Sequence, residues 1–308
     1  MCGIAGLIHK DKSVNIGSEL QSMLQALKHR GPDSTGYALY ADNDGQNFIM
    51  RFKVGENVGE GSSAVNEDKS VYDSRKKQVD SHLKELGAEI IKEDRLTPYS
   101  FRYIIKYDKD LMEFSKKIES VEMTEILSLG KSLELVKDLG DANTVSKQYG
   151  LDKMKGTHAI GHSRMATESG VDIRSAHPFW GYPFSDMSVV HNGQLTSYWN
   201  NRRILERKGM RFVSECDSEL IGVYLAEKMR SGVALEQGMK DSIKELDGVF
   251  TYLVATKDSL GMAKDVMAAK PMVLYESDDL VALGSEEIAI RTLLPQEIDT
   301  YDPYEGEV

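Results

Sequence analysis

Cys2 is the residue of this sequence whose type and position most directly suggest catalysis. A thiol with its ordinary pKa of about 8.5 is only a few per cent thiolate at neutral pH, so a nucleophilic cysteine needs a base beside it. If Met1 is removed, the α-amino group of Cys2 has a pKa of about 7.7–8.0 and is held next to the sulfur. That amine could take the thiol proton, directly or through one water, and later deliver it to a leaving amine. Taken alone, however, a cysteine is more often a buried structural residue.

Five further blocks of functional or turn-forming residues follow Cys2 along the chain. They are HRGPDSTG (29–36), GHSRMAT (161–167), HPF (177–179), HNG (191–193) and ECDSE (215–219). In this order, and together with MCGIAG at the start, they resemble the class II glutamine amidotransferases, a branch of the N-terminal-nucleophile hydrolases. The resemblance covers residues 1–54 and about 156–290, and six ordered blocks are far more specific than any single motif.

The resemblance implies a catalytic role for three residues. Cys2 would attack the side-chain carboxamide of glutamine. Asn192, through its side-chain amide, and Gly193, through its backbone N–H, would stabilise the tetrahedral oxyanion, and one such donor is typically worth about 3–4 kcal/mol of barrier. An Asn-Gly pair is also an ordinary turn signal, and both interpretations can hold because a tight turn presents a backbone N–H.

The resemblance also implies a set of substrate-binding residues. Arg164 would hold the α-carboxylate of glutamine with two parallel hydrogen bonds, helped by Thr167. Asp217 would pair with the α-ammonium group, although an aspartate there could also cap a helix. Met165 and Glu168 stand where family members that aminate sugar phosphates often carry Trp and His, so this segment argues against that branch.

Arg30, His177 and His191 are expected to support the site without touching the substrate. Arg30 would brace the strand of the nucleophile. The histidine spacings match no zinc pattern and the cysteines do not cluster with them, so no metal site is expected. His158 and His162 are interpreted as strand-packing residues, and Cys216 as a packed thiol.

Composition narrows the possible partners and locations. The chain has 308 residues and a formal charge of −11, which disfavours binding to nucleic acid or to an anionic membrane. It contains no run of eighteen apolar residues, and the apolar segment at its start is too short for a signal peptide. With two cysteines and no disulfide framework, we expect a cytoplasmic protein.

Hydrophobic periodicity and turn residues place the motifs on regular elements. Strands are predicted at 3–9, 37–41, 46–54, 88–93, 99–107, 121–129, 156–167 (ending in a polar tip), 187–195, 249–256, 272–276 and 279–284. Helices are predicted at 18–28, 70–86, 109–119, 217–230 and 234–246, with further helical pattern up to about 150 and a short helix from about 286. Ser18 and Gln21 have capping-box spacing, and Asn43-Asp44-Gly45 predicts a hairpin between the second and third strands.

The chain is expected to be one amidotransferase domain, 1–308, interrupted by an α/β insertion at about 55–155. The insertion contains only one histidine and no cysteine, so it is expected to pack or recognise and to do no chemistry. The resemblance implies an α+β fold, the four-layer αββα N-terminal-nucleophile hydrolase fold, with two antiparallel sheets packed face to face.

The function predicted from these observations is hydrolysis of glutamine to glutamate and ammonia. The segment 268–287 and the motifs around Arg164 resemble glutamate-synthase-like and N-methylglutamate-synthase-like systems. No GxGxxG, P-loop or iron–sulfur motif is present, so no cofactor is expected in this chain. A separate synthase subunit, carrying FMN and optionally iron–sulfur, would receive the ammonia. The alternatives are a stand-alone γ-glutamyl amidohydrolase and a catalytically silent regulatory subunit of the same fold.

Overall fold

A computed structural model describes residues 2–56, 67–165 and 173–308, which form fourteen strands and eight α-helices. The strands are β1 (Gly3–His9), β2 (Ser34–Ala41), β3 (Phe48–Lys53), β4 (Glu89–Arg95), β5 (Ser100–Lys106), β6 (Glu125–Gly130), β7 (Leu133–Leu139), β8 (Gly156–Arg164), β9 (Phe179–Trp180), β10 (Ser188–Leu195), β11 (Gly248–Ala255), β12 (Leu260–Lys264), β13 (Val273–Glu276) and β14 (Leu280–Gly284). The helices are α1 (Ile16–Ala26), α2 (Lys69–Leu86), α3 (Leu111–Ile118), α4 (Ala142–Tyr149), α5 (Tyr198–Arg207), α6 (Asp217–Arg230), α7 (Leu235–Glu245) and α8 (Glu287–Arg291).

A six-stranded antiparallel sheet carries the start of the chain in its interior. Its order is β13-β14-β1-β8-β2-β7. Strands β1 and β8 pair with Gly3 opposite Ser163. Because the two strands run in opposite directions, Cys2 at the start of β1 meets the end of β8, where Arg164 and Met165 lie. The order of the strands therefore joins two of the sequence motifs.

A second, four-stranded sheet, β12-β11-β10-β9, packs against one face of the first. The core between them contains fully buried side chains such as Ile4 and Ile160 from the six-stranded sheet and Val190 and Leu253 from the four-stranded sheet. Helices α1, α4 and α8 cover the outer face of the first sheet, and α6 and α7 cover the outer face of the second. The predicted four-layer αββα arrangement is confirmed.

A third sheet, β4-β5-β3-β6, is formed by residues 48–130 together with α2 and α3. It is not a separate unit, because its apolar side chains share one continuous core with the two main sheets. Ion pairs cross the same boundary: Glu134 on β7 binds Arg51 on β3 and Arg102 on β5. The third sheet is therefore fixed rigidly to the six-stranded sheet.

The predicted hairpin between β2 and β3 is wrong. β2 is paired on both edges, with β7 and β8, and β3 pairs with β5 and β6. The turn itself exists, since the Asp44 carboxylate accepts the backbone N–H groups of Gln46 and Asn47, and Gly45 has a φ of +66°. Residues such as Asp44 and Gly45 predict that the chain turns at this point. They do not predict which strand the next strand will pair with.

The residues that form the third sheet do not coincide with the insertion predicted at about 55–155. β3 precedes that range but belongs to the third sheet, whereas β7 and α4 fall inside it but belong to the six-stranded sheet and its helical layer. Residues 57–66 lie outside the described residues. The extent of the insertion, which rested on composition, stays a prediction.

Two local expectations also differ from the structure. Helix α1 begins at Ile16 after Asn15, so Ser18 lies inside the helix and the predicted capping box does not form. The helical pattern expected up to residue 150 contains strand β7 before α4 begins at Ala142. By contrast, β1 and α6 have the predicted bounds. No helix among the described residues is both long and apolar enough to cross a membrane.

Candidate active site

The thiol of Cys2 lies against the backbone of Met165, as the pairing of β1 with β8 requires. The Met165 N–H donates to Sγ at 3.4 Å, and Sγ lies 3.8 Å from the Met165 carbonyl oxygen. The carbonyl oxygen of Cys2 accepts two hydrogen bonds, from Arg30 Nε at 2.9 Å and from Asn192 Nδ2 at 3.1 Å. Both ends of the residue are thus held by groups from other segments of the chain.

The environment of the two cysteines gives their thiols opposite reactivity. Burial by itself raises the pKa of the Cys2 thiol, but His162 and the Met165 N–H outweigh burial and lower that pKa to about 7. Burial and the Asp217 carboxylate raise the pKa of the Cys216 thiol to about 11. At neutral pH about half of Cys2 is therefore thiolate, whereas Cys216 is protonated.

Arg30 connects the first strand to the end of β14. Its guanidinium is buried and lies 2.5 Å from Glu286 Oε1, in addition to its contact with the Cys2 carbonyl. Ser285 accepts the backbone N–H of Ile4 at 2.9 Å and lies 3.4 Å from Asn192 Nδ2. Arg30 therefore makes the contact with Cys2 that its predicted role, bracing the strand of the nucleophile, requires. Ser285 and Glu286, which the sequence analysis did not single out, link the same strand to the end of β14.

The backbone of β10 presents the N–H of Gly193 toward the site. On its β11 side, Gly193 faces Phe250, whose N–H and carbonyl both bond to Asp265. The N–H groups of His191 and Leu195, two residues away on either side, point to the opposite edge, toward His177 and Asp217. Backbone N–H groups two residues apart on a strand point to the same edge of that strand. The Gly193 N–H, which lies between those of His191 and Leu195 in this alternation, therefore points away from β11, to the same edge as theirs.

Only glycine fits at position 193. Its φ is +144°, and a Cβ there would lie 1.9 Å from the Val249 carbonyl oxygen. Asn192, the residue before it, donates from its Nδ2 group to the Cys2 carbonyl at 3.1 Å and, at the longer distance of 3.4 Å, to Ser285 Oγ. Both predicted oxyanion donors therefore lie beside the residue that carries the nucleophile, and among the described contacts the Gly193 N–H is unused.

Arg164 and Asp217, which carry opposite charges, act on a common neighbour: the carboxylate raises and the guanidinium lowers the pKa of the Cys216 thiol. Arg164 also influences His177, whose Nε2 lies 3.9 Å from the Cys216 sulfur. Asp217 Oδ2 accepts the Leu195 N–H at 2.7 Å. The suggestion that Asp217 caps its helix is wrong, since the cap position is Cys216 and Asp217 is the first helical residue.

Thr167 and Glu168 lie outside the described residues, so the structure tests neither. Met165 contacts the thiol through its backbone. Its expected contact with substrate stays a prediction.

Three buried imidazoles pack beside the nucleophile. The ring centroid of His177 lies 4.1 Å from that of His162 and 6.3 Å from that of His191. Burial lowers the pKa of His177 well below its ordinary value and that of His191 to about 4, so both are neutral at pH 7. His177 lies over β2 at Gly36, where a Cβ would meet its carbonyl oxygen at 1.9 Å.

His162 is the functional candidate that the sequence interpretation missed. It was assigned to strand packing, but its imidazole bonds to Asn192 and influences the Cys2 thiol. The two-residue spacing from Arg164 on β8 was an available signal, since it places both side chains on one face of the strand. Within the described ranges, no group of three or more His, Cys, Asp or Glu side chains is arranged to hold a metal ion.

A cavity of about 750 Å³ lies elsewhere, between α3 and residues 209–213. It is lined in part by Glu119 and Arg211, which pair with each other, and by Tyr182. None of the groups around Cys2 lines it. The candidate active site is therefore located by its chemistry and not by the size of a cavity.

Comparison with known proteins gives the family. A family profile described as a glutamine amidotransferase domain matches residues 162–292. A protein of Methanothermobacter thermautotrophicus classed as a glutamine amidotransferase is 37% identical over 317 aligned residues, which cover 100% of this chain and 98% of the relative. The chain belongs to the glutamine amidotransferase family.

A second relative and a solved structure agree with this assignment. The glutamine amidotransferase-like protein GlxB of Rhizobium meliloti is 34% identical over 95% of this amidotransferase and 92% of its own length. The glutamine phosphoribosylpyrophosphate amidotransferase from B. subtilis superposes with a TM-score of 0.59 at 17% identity, which shows a shared fold. This amidotransferase covers 46% of that chain. The predicted N-terminal-nucleophile fold, the class II family and an amidotransferase enzyme are confirmed.

Proposed function

We propose that this amidotransferase hydrolyses glutamine at Cys2 and passes the ammonia to a separate synthase subunit. The observation that carries the proposal is the arrangement at one edge of β10. A thiol with a pKa lowered to about 7, the Asn192 amide and the outward N–H of Gly193 converge there. A nucleophile beside two preorganised donors is what acyl transfer through a tetrahedral oxyanion requires.

The steps follow from these groups. Glutamine binds with its α-carboxylate on Arg164 and its α-ammonium on Asp217. The Cys2 sulfur forms a bond to the amide carbon while Asn192 and Gly193 stabilise the oxyanion. The α-amine of Cys2, free after removal of Met1, delivers a proton to the departing nitrogen as the C–N bond breaks. Water then cleaves the γ-glutamyl thioester, releasing glutamate and restoring the thiol.

Labelling with an electrophilic glutamine analogue tests this assignment. The purified chain is analysed by intact mass and peptide mapping before and after exposure to a diazoketone analogue of glutamine. We expect a chain without Met1 that gains one adduct at Cys2, blocked by excess glutamine and absent in Cys2→Ala. A chain that retains Met1, or that is labelled equally with and without glutamine, would contradict the proposal.

The acceptor is proposed on two grounds. Segment 268–287 and the motifs around Arg164 resemble glutamate-synthase-like and N-methylglutamate-synthase-like systems. In addition, the alignments with two amidotransferase relatives cover 98% and 92% of their lengths, so these relatives consist almost entirely of this region. The ammonia would aminate a 2-oxo acid, or a substituted amine would be combined with glutamate, on a partner that carries FMN and optionally iron–sulfur.

Co-purification and reconstitution test the acceptor. A partner synthase should co-purify with this chain and convert 2-oxoglutarate to glutamate with glutamine as the nitrogen source. That reaction should be lost when the amidotransferase carries Cys2→Ala and recovered when free ammonium is supplied. Turnover of substituted γ-glutamyl amides by the isolated chain, with no partner dependence, would instead indicate a stand-alone amidohydrolase.

A further inference from the structure

The buried contact between His162 and Asn192 joins two parts of the site. His162 lies on β8 with 2% of its surface exposed, and its Nε2 lies 3.0 Å from Asn192 Oδ1. Asn192 Nδ2 lies 3.1 Å from the carbonyl oxygen of Cys2. A single chain of contacts therefore runs from the imidazole, through the amide, to the residue that carries the nucleophile.

The chemistry of this chain fixes the direction of every hydrogen bond in it. A carbonyl oxygen can only accept, so the Asn192 NH₂ group must face Cys2 and its oxygen must face His162. His162 must then carry a proton on Nε2 in order to donate. Its other nitrogen, Nδ1, is buried and has no hydrogen-bond partner among the described residues. A proton on Nε2 satisfies both contacts in this chain.

We propose that His162 is a positioning residue that holds the Asn192 amide with its NH₂ group toward the nucleophile. The inference rests on the proposed function, because an amide turned the other way would present an oxygen to the developing oxyanion. A donor aimed in advance costs no reorganisation when the charge forms. His162 thus acts on the reaction through Asn192.

His162 also influences the Cys2 thiol, so the two effects must be separated. It contributes to lowering the pKa of that thiol. The other titratable or charged groups around the imidazole are His177, His191 and Arg164. The first two have pKa values lowered far enough to be neutral above pH 7, and the arginine stays charged. Cys2, through its thiol and through the α-amine that removal of Met1 frees, is therefore the residue near His162 whose charge changes between pH 7 and 9.

Two substitutions of His162 separate positioning from ionisation. A glutamine places its amide nitrogen close to the position of Nε2 and can still donate to Asn192. An asparagine places its amide near Nδ1 and leaves the Nε2 position empty. Both remove the imidazole from the thiol. His158→Gln is a matched control on the same strand, since His158 is buried, binds the Thr256 carbonyl and does not contact the site.

The first measurement is glutamine turnover at pH 9. Both variants lack the imidazole that lowers the pKa of the Cys2 thiol, so any difference between them does not come from ionisation of that thiol. We expect His162→Gln to keep kcat within a few-fold of the parent. We expect His162→Asn to lose about 10- to 100-fold in kcat with little change in KM, as a misdirected oxyanion donor should. The iodoacetamide reactivity of Cys2 should shift to higher pH by the same amount in both variants. Equal kcat values for the two variants would overturn the proposal.

A second measurement does not depend on turnover. In protein labelled with ¹⁵N-asparagine, the side-chain NH₂ protons of Asn192 should be protected from solvent exchange in the parent, His162→Gln and His158→Gln. They should exchange at least 10-fold faster in His162→Asn. Absence of glutamine turnover in the parent would refute the proposed function alone, whereas equal exchange in His162→Gln and His162→Asn would refute the positioning role alone.

Discussion

At the level of single residues, the protein sets its two thiols apart by their surroundings. Both cysteines are partly buried, and burial raises the pKa of each. Cys2 has an imidazole and a backbone N–H beside it, which favour the thiolate, whereas Cys216 has the Asp217 carboxylate, which opposes it. The difference is about 4 pKa units, and it arises from burial together with neighbouring charge: burial and Asp217 act in the same direction on Cys216, whereas His162 and the Met165 N–H outweigh burial at Cys2.

Alkylation by iodoacetamide should therefore be confined to Cys2 and should depend on pH. Since its pKa is about 7, the rate should rise with pH, reaching half its plateau near pH 7 and about a tenth of the plateau at pH 6. Peptide mapping of stopped reactions gives the rate at each cysteine. Cys2→Ala should take up no label below pH 8, and labelling of Cys216 there would contradict the assignment.

Among the elements, β10 and α6 carry three of the predicted catalytic and substrate-binding residues, Asn192, Gly193 and Asp217. One edge of β10 pairs with β11, and the other pairs briefly with β9 and then contacts His177 and Asp217. Helix α6 begins at Asp217, so that carboxylate also lies at the positive end of the helix dipole. The strand and the helix are locked together by the bond between the Leu195 N–H and Asp217.

Two substitutions of Asp217 should distinguish its charge from its hydrogen bond. Asp217→Asn keeps an acceptor for Leu195 but loses the charge for the α-ammonium group, so kcat/KM for glutamine should fall about 10- to 100-fold with stability nearly unchanged. Asp217→Ala also leaves the Leu195 N–H without its partner, which should cost about a further 1–3 kcal/mol of stability. Steady-state kinetics and thermal unfolding measure the two effects. Equal melting temperatures would contradict the structural part.

Across the whole molecule, buried ion pairs join the third sheet to the six-stranded sheet. Glu125 on β6 lies 3.0 Å from Lys53 on β3 and 3.2 Å from Lys137 on β7, and all three are at most 5% exposed. Burial by itself raises the pKa of Glu125, but the two lysines outweigh burial and lower that pKa to about 2. The folded state therefore depends on this carboxylate remaining charged.

This arrangement should appear as acid sensitivity. Because the folded pKa of about 2 lies below the ordinary value of 4.5, the stabilisation is complete above about pH 4.5 and is lost as pH falls toward 2. Glu125→Gln should lower the free energy of unfolding at pH 7 by about 3–5 kcal/mol, since it removes the carboxylate that two buried lysines share. Among the described polar contacts, Lys53 then keeps only its pair with Glu56, and Lys137 only the Arg174 carbonyl.

Below pH 4 the difference in the free energy of unfolding between Glu125→Gln and the parent should become smaller. Glu113→Gln, on the exposed surface of α3, should change neither the free energy of unfolding at pH 7 nor its dependence on pH.

The sequence predicted the parts of this protein that depend on local pattern or on an ordered set of motifs. β1 and α6 have the expected bounds because apolar runs and a helix start are local signals. Strand β7 was missed because two of its buried residues, Glu134 and Lys137, are charged. Charged residues spaced among apolar ones give the same pattern as one face of an amphipathic helix. His162 was missed because its role comes from Asn192, 30 residues away.

Asn192 has two tasks for one amide group: its Nδ2 holds the carbonyl of Cys2, and the same Nδ2 is the proposed donor to the oxyanion. The same carbonyl is held by Arg30, and the same amide by His162. In evolutionary terms these positions should be strongly epistatic. A change at any one of them removes support from the others, so mutational paths to a different site would pass through inactive intermediates. Lineages should therefore keep these residues as a set or replace them as a set.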